Sequence, residues 1–406
     1  MKIKEYVDRN LPLSIRYTPK DEGKLFGLPK PYIVPCAADN FQEMYYWDTY
    51  FSNVGLILRG DIEQAKNNVD NLLTMIQRFG FVLNGSSQYY LYNSQPPFLA
   101  QMIREVYDEI QDREWLTQCY ELLKKEHTFW TEKRGTKCGL SRYGCEELPK
   151  KWIEDGKNGM IWRLGFRPEG MTDKELAYAY RSSGESGWDF TPRFGWEGYE
   201  YAPIDLNSLL YGQEMQLSYF AAELGKHKEA EEWRGFADQR AELMRKYLKS
   251  DDDVFYDYHI SKKELNRLVS VACFYPLYFR LATEEEARAT LGVLAKIEMQ
   301  YGVATCEKKE FVGTYQWAYP NGWPPLQRIM VQGLLNYGYI EEAKRIALKY
   351  VDLVETCFDS TGHLWEKYNV VDGNVEVVNE YDMPPMLGWT FGTYYFCCNV
   401  LGKDVK

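Results

Sequence analysis

The feature that most constrains the fold is a helical periodicity of apolar residues in six long segments. In the segment DIEQAKNNVDNLLTMIQRFG, 61–80, apolar residues recur at steps of three and four, which predicts an amphipathic helix. Asp61 could cap the start of this helix, and Gly80 follows its end. The same periodicity predicts helices in 98–110, 206–225, 227–248, 283–297 and 339–355, whereas strand-like alternation is rare and short.

Long loops rich in Gly, Pro, Trp and Asn separate the helical segments, at 35–48, 84–97, 140–170, 184–205, 312–325 and 370–390. Long loops in a compact domain usually carry function. Paired helices joined in this way predict a toroid with its loops gathered at one rim, and the absence of a fixed-period repeat disfavours an open solenoid. We therefore predict one domain over 1–406, with 1–30 as a peripheral N-terminal segment.

Composition narrows the class of partner. The net charge is −11 without a basic run, which excludes the usual footprint of a nucleic-acid-binding protein. No stretch approaches the roughly 18 apolar residues of a membrane span. The aromatic content of 16% suits the binding of sugar rings or the filling of a large core. We expect a small-molecule substrate and no membrane partner, while the oligomeric state is not predicted.

The histidines and cysteines argue against a metal site and bear on the cellular compartment. Only four histidines occur and they do not cluster, so we expect no zinc. The nine cysteines are scattered without a C-x-x-C pair, and the N-terminal MKIKEYVDRN lacks the apolar region of a signal peptide. This pattern predicts reduced thiols and a cytoplasmic protein.

Two carboxylates stand out in the loops. Asp189 lies between Trp188 and Phe190 in ESGWDF, and Glu380 begins EYDMPP. Cleavage of a glycosidic bond needs two carboxyl groups, and apolar walls raise the pKa of a carboxyl group by penalising its anion. Asp189 is therefore interpreted as a buried acid, although a solvated loop residue or a helix cap would fit the same letters.

Other loop residues offer stacking faces and hydrogen bonds. Trp47 and Asp48 combine an indole with an acceptor, although Asp48 could instead cap a helix. Asn84 and Gln95 each carry donors and acceptors, as a sugar hydroxyl requires, although Asn-Gly and Pro-Pro also explain a turn there. In QWAYPNGWPP, 316–325, two indoles flank Pro-Asn-Gly.

Taken together, these segments resemble the trehalases of glycoside hydrolase family 37. The counterparts of the family motifs are PCAADNFQEMYYWDTYF, NSQPPF, RPEG, ESGWDFTPRF, QWAYPNGWPP and NEYDMPPMLGWT, in family order from about residue 35 to 390. The resemblance implies an all-α (α/α)6 barrel, no metal or organic cofactor, and inversion at the anomeric carbon with Asp189 as general acid and Glu380 as general base. It further implies a sugar site that includes Phe41, Trp47, Asp48, Asn84, Ser94, Gln95, Arg167, Glu169 and Gly187.

Three departures from the family pattern bear on the substrate. Asn40 and Asn93 stand where the family has arginine, and Ala318 stands where it has aspartate. Asparagine cannot reproduce the planar donors of arginine. We count Asn40 and Asn93 among the candidate sugar-binding residues, together with the indoles Trp317 and Trp323.

The predicted function is that of an inverting α-glycosidase for a small α-glucoside, with α,α-trehalose as the first candidate. The departures leave three alternatives open. The first is a different α-glucoside, because a site built to bond hydroxyls discriminates sharply when partners are missing. The second is a catalytically silent sugar-binding homologue. The third is another helical-toroid enzyme, such as an epimerase or a lyase, which would need a catalytic His or Tyr.

Overall fold

The fold is described by a computed structural model that covers residues 2–37, 41–144 and 147–405. Its helices are α1 Ile3–Asn10, α2 Tyr46–Arg59, α3 Ile62–Phe79, α4 Leu99–Ile110, α5 Arg113–Thr128, α6 Lys150–Leu164, α7 Asp173–Glu185, α8 Ile204–Glu223, α9 His227–Tyr247, α10 Tyr275–Tyr278, α11 Glu284–Gly292, α12 Pro324–Asn336, α13 Ile340–Thr361 and α14 Gly388–Leu401. None of these helices is long and apolar enough to cross a bilayer.

The strands are short and lie in the connections between helices. They are β1 Ile15–Arg16, β2 Tyr32–Ile33, β3 Tyr201–Ala202, β4 Asp257–His259, β5 Glu264–Asn266, β6 Glu298–Met299, β7 Gly302–Val303, β8 Asn321–Gly322 and β9 Tyr368–Asn369. Pairing is antiparallel throughout, in the order β1–β2, β3–β4–β5, β6–β7 and β8–β9. The β8–β9 pair, with Asn321 opposite Asn369, joins the predicted loop 312–325 to the residues just before the predicted loop 370–390.

Six helices form a closed inner ring. Each helix of the ring contacts the next, in the order α2, α4, α8, α10, α12 and α14, and α14 packs back on α2. The helices α3, α5 and α13 each contact two inner helices from outside, and α9 packs along α8. This alternation of inner and outer helices is the (α/α)6 barrel that the sequence predicted.

The ring closes where α14 meets α2, through two glycines. A Cβ atom at Gly392 would lie 1.9 Å from the backbone oxygen of Phe51. A Cβ atom at Gly55 would lie 2.2 Å from the ring of Phe391. Only hydrogen side chains allow backbones to approach so closely. This contact brings together a helix from the first part of the chain and the last helix, and with them the loops that precede each of the two.

The main core draws on the whole chain. It includes residues from Ile3 to Cys398, and the N-terminal Ile3, Val7, Phe26 and Leu28 are buried in it. The backbone of β1 pairs with β2, with Ile15 opposite Ile33. The segment 1–30, which we had predicted to be peripheral, therefore contributes buried side chains to the barrel.

Four of the six predicted helices occur within two residues of the predicted bounds: α3, α4, α8 and α9. The fifth, α13, begins as predicted but continues to Thr361, six residues beyond its predicted end. The sixth, α11, ends at Gly292, and a 3₁₀ turn continues it. Gly80 ends α3 with φ +85°, as expected for a C-terminal glycine. Asp61 occupies the capping position, but its carboxylate accepts a hydrogen bond from Arg59 instead of capping the helix.

The predicted loop 140–170 is partly wrong, because it contains α6. This helix forms a hairpin with α7. A Cβ atom at Gly159 would lie 2.6 Å from the ring of Tyr180, and one at Gly156 would lie 3.0 Å from Ala177. Glycine weakens a helix taken alone, so the sequence suggested a loop, whereas in the fold it permits close packing between the two helices.

Gly392→Ala should test the closure of the ring. We expect the methyl group to push α14 away from α2 and to lower the free energy of unfolding by about 2–3 kcal/mol, as for other overpacked core sites. Gly235→Ala is the matched control, because Gly235 lies on the exposed face of α9 with open space around it. Helix propensity predicts that the control gains up to about 1 kcal/mol. Thermal or urea unfolding of both variants measures these changes. A Gly392→Ala variant as stable as wild type would contradict the proposed closure.

Candidate active site

The loops at one end of the barrel and the α6–α7 hairpin converge on a cavity. Ten of the residues predicted from the sequence line it: Phe41, Trp47, Asp48, Asn84, Asn93, Gln95, Gly187, Asp189, Trp317 and Trp323. Twelve further residues complete the lining: Tyr45, Tyr89, Tyr90, Arg163, Tyr180, Arg181, Gly184, Gln316, Glu366, Tyr381, Met386 and Trp389. The predicted gathering of loops at one rim is therefore observed.

Stacked indoles form one wall of the cavity. The rings of Trp317 and Trp323 are parallel, with centroids 3.7 Å apart, and Trp389 meets Trp323 edge to face at 5.8 Å. Trp47 packs against Trp317 at 5.6 Å. Gly187 has φ +70°, and a Cβ atom there would lie 2.8 Å from the Trp47 ring, so this position admits only glycine. The wall offers the flat apolar surface on which a sugar ring can lie.

Asp189 faces the cavity and pairs with an arginine. Its side chain is 35% exposed, and Arg163 Nη2 donates to its Oδ2 at 2.7 Å. The neighbouring rings point elsewhere: Trp188 stacks on Trp317, and Phe190 packs on Tyr315. The prediction that Asp189 is buried between its sequence neighbours is wrong, because the backbone directs its side chain away from both rings.

Glu380 approaches the same arginine from the loop before α14. Its side chain is only 10% exposed, and its Oε2 lies 3.3 Å from Arg163 Nε. Oε1 has no hydrogen-bond partner among the described residues. Burial raises the pKa of Glu380 to about 7; Arg163 opposes this rise, and the negative charge of Asp189 adds to it.

One guanidinium group therefore contacts both predicted catalytic carboxylates. Because the Nε and Nη2 atoms of Arg163 belong to one rigid planar group, the contacting oxygens of Asp189 and Glu380 are at most about 8.5 Å apart. Carboxyl groups of inverting glycosidases lie roughly 6.5–9.5 Å apart, which leaves room for a water molecule. The upper limit set by Arg163 is compatible with that spacing.

Asp48 is a buried carboxyl group in the first turn of α2. The helix has Tyr45 at its capping position, so Asp48 is not the cap. Burial raises the pKa of Asp48 to about 8, and the charges of Glu366 and Asp189 add to the rise. Asp48 is mainly protonated at neutral pH and can both donate to and accept from a sugar hydroxyl.

The predicted amide residues line the cavity but also hold its loops together. Asn84 Nδ2 donates to the backbone oxygens of Ser94 and Gly184. Gln95 Oε1 accepts from the backbone N–H of Trp47. Ser94 does not line the cavity: it is fully buried, and its hydroxyl donates to the backbone oxygen of Val82. The structure gives Ser94 a role in fixing the loop, not in contacting a ligand.

Arg167 and Glu169 were expected at the sugar site, and the structure places both outside it. They lie on the exposed turn between α6 and α7, where Arg167 bonds Asp173 at 2.8 Å. The hairpin instead brings Arg163 and Arg181 to the cavity. The R-P-E motif identified the hairpin that borders the cavity, but its residues lie on the exposed turn. The cations at the cavity come from the helices on either side of that turn, Arg163 from α6 and Arg181 from α7.

The three departures from the family pattern have different outcomes. Arg181 Nη1 lies 3.4 Å from Asn93 Oδ1, so a guanidinium from α7 reaches the place where the sequence lacks an arginine. Ala318 is buried in an apolar cluster with Phe190 and Tyr315, where a carboxylate would lose its hydration. Asn40 lies outside the described residues.

Besides Arg163 and Arg181, sequence reasoning missed a buried pair of charged residues at the site. Glu366 lines the cavity and is 2% exposed, and the fully buried Lys367 pairs with it. The adjacent Glu-Lys of LWEKYN, between two apolar helices, was the available signal. No cluster of His, Cys, Asp or Glu that could hold a metal ion occurs in the described ranges.

The sequence model of the family described as Trehalase matches residues 3–402. This chain belongs to the trehalase family. It is a glycoside hydrolase. Its curated relatives include a periplasmic trehalase of Xanthomonas axonopodis pv. citri, 30% identical, with the match covering 100% of this chain and 74% of that protein. A periplasmic trehalase of Escherichia coli O1:K1 / APEC is also 30% identical, over 96% of this chain and 72% of that protein.

Solved structures support the same fold. Neutral trehalase Nth1 from Saccharomyces cerevisiae superimposes with a TM-score of 0.77 and 27% identity, over 91% of this chain and 73% of that chain. A mannosylglycerate hydrolase from Thermus thermophilus has a TM-score of 0.63 and 15% identity, over 90% of this chain and 95% of that chain. The second likeness bears on the fold alone.

The predicted cytoplasmic location is wrong in the light of these relatives, since the bacterial members are periplasmic trehalases. Part of the prediction rested on scattered cysteines. Seven of the eight described cysteines are buried in the barrel, where a cysteine side chain serves as a small apolar residue in any compartment. Cysteine pattern is therefore a poor guide to the compartment of this trehalase-family chain.

Glu380→Gln should change stability in a pH-dependent way. Because the folded state raises the pKa of Glu380 from 4.5 to about 7, the carboxyl group favours folding below pH 4.5, and this advantage is lost as pH rises through 7. The amide carries no such penalty. We expect the stability of Glu380→Gln relative to wild type to be about 2–3 kcal/mol greater at pH 8 than at pH 5. Urea unfolding at both pH values measures this, with exposed Glu231→Gln as control; a pH-independent difference contradicts the assignment.

Proposed function

We propose that the protein hydrolyses α,α-trehalose to two molecules of glucose with inversion at the attacked anomeric carbon. The observation that carries the proposal is that Asp189 and Glu380 both contact Arg163, in a trehalase-family barrel. Asp189 and Arg163 line the cavity walled by indoles, whereas Glu380 is not among its lining residues. The relatives named periplasmic and neutral trehalase support this substrate.

Asp189 is proposed as the general acid. Its protonated carboxyl group gives its proton to the glycosidic oxygen as the C1–O bond breaks, and the leaving glucose departs as an alcohol. Asp189 is then an anion, which the 2.7 Å hydrogen bond from Arg163 stabilises. Its partial exposure to the cavity provides the access that proton transfer requires.

Glu380 is proposed as the general base. Its carboxylate takes a proton from a water molecule while the water oxygen bonds to C1 on the face opposite the leaving group, which inverts the configuration. The unpartnered Oε1 is the available acceptor, since Oε2 contacts Arg163. After turnover, solvent returns a proton to Asp189 and removes one from Glu380.

The rest of the cavity suits an uncharged sugar. Protonated Asp48 and the free Oε1 of Gln316 offer hydrogen bonds in a water-poor site, and the indoles offer a ring surface. With Asp48 protonated, the two other lining carboxyl groups balance the two lining arginines, so the cavity carries no excess positive charge to attract an anionic ligand. Arg181 and Tyr180, which lie next to each other on α7 and line the cavity, are proposed to contact the leaving glucose.

The stereochemical outcome is the first test. Inverting hydrolysis of trehalose should release one β- and one α-glucose at equal initial rates, as followed by proton NMR before mutarotation. Two α-glucose molecules would indicate a retaining mechanism. Maltose and α-D-glucosyl fluoride complete the panel, and hydrolysis of neither trehalose nor another α-glucoside would support a silent sugar-binding protein.

Substitution of each carboxyl group should separate the two roles. Fluoride leaves without a proton donor, so Asp189→Asn should lose about 10²–10⁴-fold in kcat on trehalose and much less on α-D-glucosyl fluoride. Glu380→Gln should lose activity on both substrates, because each needs an activated water. Exposed Glu231→Gln is the control for both. The opposite pattern would exchange the roles of acid and base.

The pH dependence of kcat/KM should report the ionisation of the proposed general base, Glu380. Since the pKa of Glu380 is about 7 and the base acts as an anion, kcat/KM on trehalose should fall about tenfold per pH unit below pH 7. Initial rates between pH 4 and 9 at constant ionic strength measure this limb. A limb centred near pH 4 would place the base at another carboxyl group.

A further inference from the structure

Two tyrosines from different elements meet at the edge of the cavity. Tyr89 lies on the single 3₁₀ turn Gln88–Tyr90, and it lines the cavity although it is 44% exposed to solvent. Tyr180 lines the cavity from α7. The two hydroxyl groups lie 3.1 Å apart and share a hydrogen bond. This Tyr89–Tyr180 bridge joins the loop 84–97 to the α6–α7 hairpin where the cavity meets solvent.

The bridge lies on the same side of the cavity as Asp189. Arg163, which bonds Asp189 at 2.7 Å, has its guanidinium carbon 5.0 Å from the centre of the Tyr180 ring. Burial raises the pKa of Tyr180, and the nearby charge of Asp189 adds to the rise. Because a general acid protonates the glycosidic oxygen, the leaving glucose lies on the side of the acid. The bridge therefore belongs to the leaving-group end of the cavity.

A buried cation lies next to the bridge. Arg181 is 2% exposed, and its guanidinium carbon lies 4.5 Å from the ring centre of Trp152, 5.2 Å from that of Tyr89 and 5.8 Å from that of Tyr180. Its Nε and Nη2 atoms have no hydrogen-bond partner among the described residues. Aromatic rings thus surround one cation, which keeps two donors for the hydroxyls of a single sugar.

The two tyrosines differ in how firmly they are held. The Tyr180 ring packs on α6 at Gly159, where a Cβ atom would lie 2.6 Å from it. The exposed Tyr89 ring meets Tyr90 edge to face at 5.0 Å, and its hydroxyl contacts Tyr180. The backbone of the turn is anchored without this side chain, because Gln88 N–H donates to the backbone oxygen of Lys24. A change of the Tyr89 side chain therefore alters the cavity edge and leaves the turn in place.

We propose that Tyr89 is a specificity-determining residue: through its hydrogen bond with Tyr180 it closes the leaving-group end of the cavity and limits the leaving group to one sugar. The proposal rests on the proposed function, which places the leaving glucose beside Asp189. An α-glucoside with a second sugar on its leaving group has to displace the Tyr89 ring, which breaks the hydrogen bond to Tyr180 and the contact with Tyr90.

Tyr89→Ala should open this end of the cavity. The substrates are trehalose and the trisaccharide in which one further α-1,4-linked glucose extends one half of trehalose, so that hydrolysis releases glucose and maltose. We expect kcat/KM to rise on the trisaccharide and to fall on trehalose, with the ratio of the two values shifted about 10–100-fold toward the trisaccharide. Tyr17→Ala is the matched control, on a ring that is 60% exposed on the surface.

Two further variants test the hydrogen bond itself. Tyr89→Phe and Tyr180→Phe each keep the ring and remove the bond, so each should shift the same ratio about 2–10-fold toward the trisaccharide. The double variant should shift it no further than either single variant, because both remove one interaction. Fully additive shifts would show that the two hydroxyl groups act separately and would overturn the role of the bridge.

The substrate ratio distinguishes closure from a merely structural role. A structural role would lower kcat/KM on both substrates by the same factor in Tyr89→Ala, and that result overturns the proposal. An unchanged ratio in folded Tyr89→Ala also overturns it. So does a wild-type protein that hydrolyses the trisaccharide as fast as trehalose, because its leaving-group end would then be open.

A binding measurement separates this proposal from the proposed function. In the Asp189→Asn background, calorimetry should show that Tyr89→Ala tightens the Kd of the trisaccharide about tenfold relative to that of trehalose. If wild type hydrolyses neither sugar but this shift occurs, the proposed function fails while the closure by Tyr89 stands. If wild type hydrolyses trehalose and neither the Kd ratio nor the rate ratio shifts, the closure fails alone. Binding of neither sugar, with no hydrolysis, overturns both.

Discussion

The contact between α14 and α2 is the constraint on which the site depends. The barrel can close only where Gly55 and Gly392 let two backbones meet, and closure places the loop before α14 beside the loop before α2. Glu380 comes from the loop before α14 and Trp389 from the first turn of α14, while Trp47 and Asp48 come from the start of α2. Residues more than 300 positions apart in the chain, such as Trp47 and Trp389, thus share one cavity because α14 packs directly on α2.

The chemistry of the cavity is a balance between burial and a small number of cations. Burial raises the pKa values of Asp48 and Glu380 to about 8 and 7, so neither is fully ionised at neutral pH. Arg163 and Lys367 offset part of that penalty for Glu380, and Arg163 contacts both of the carboxyl groups proposed as catalytic. A single rigid cation also fixes how far apart the two carboxyl groups can lie, so charge and geometry are set together.

The sequence predicted the barrel, four helices close to their bounds, and ten of the 22 residues that line the cavity. Those predictions rest on periodicity and on motifs whose residues are contiguous, such as Trp317 and Trp323 in one loop. It failed at the α6–α7 hairpin, where glycines that look like loop residues serve close helix packing. The family resemblance placed Arg167 at the site, whereas α6 brings Arg163, four residues earlier, to the cavity.

What the sequence determined by itself was local: where apolar stripes make helices, which loops hold carboxyl groups and indoles, and which family those loops belong to. The tertiary structure decided which of these side chains meet. Asp189 turns from its aromatic neighbours to Arg163, Ser94 turns into the loop, and Arg181 reaches the position of Asn93. The physical reason is that the direction of a side chain and the charge around it depend on elements distant in the chain, and no local pattern encodes their closure.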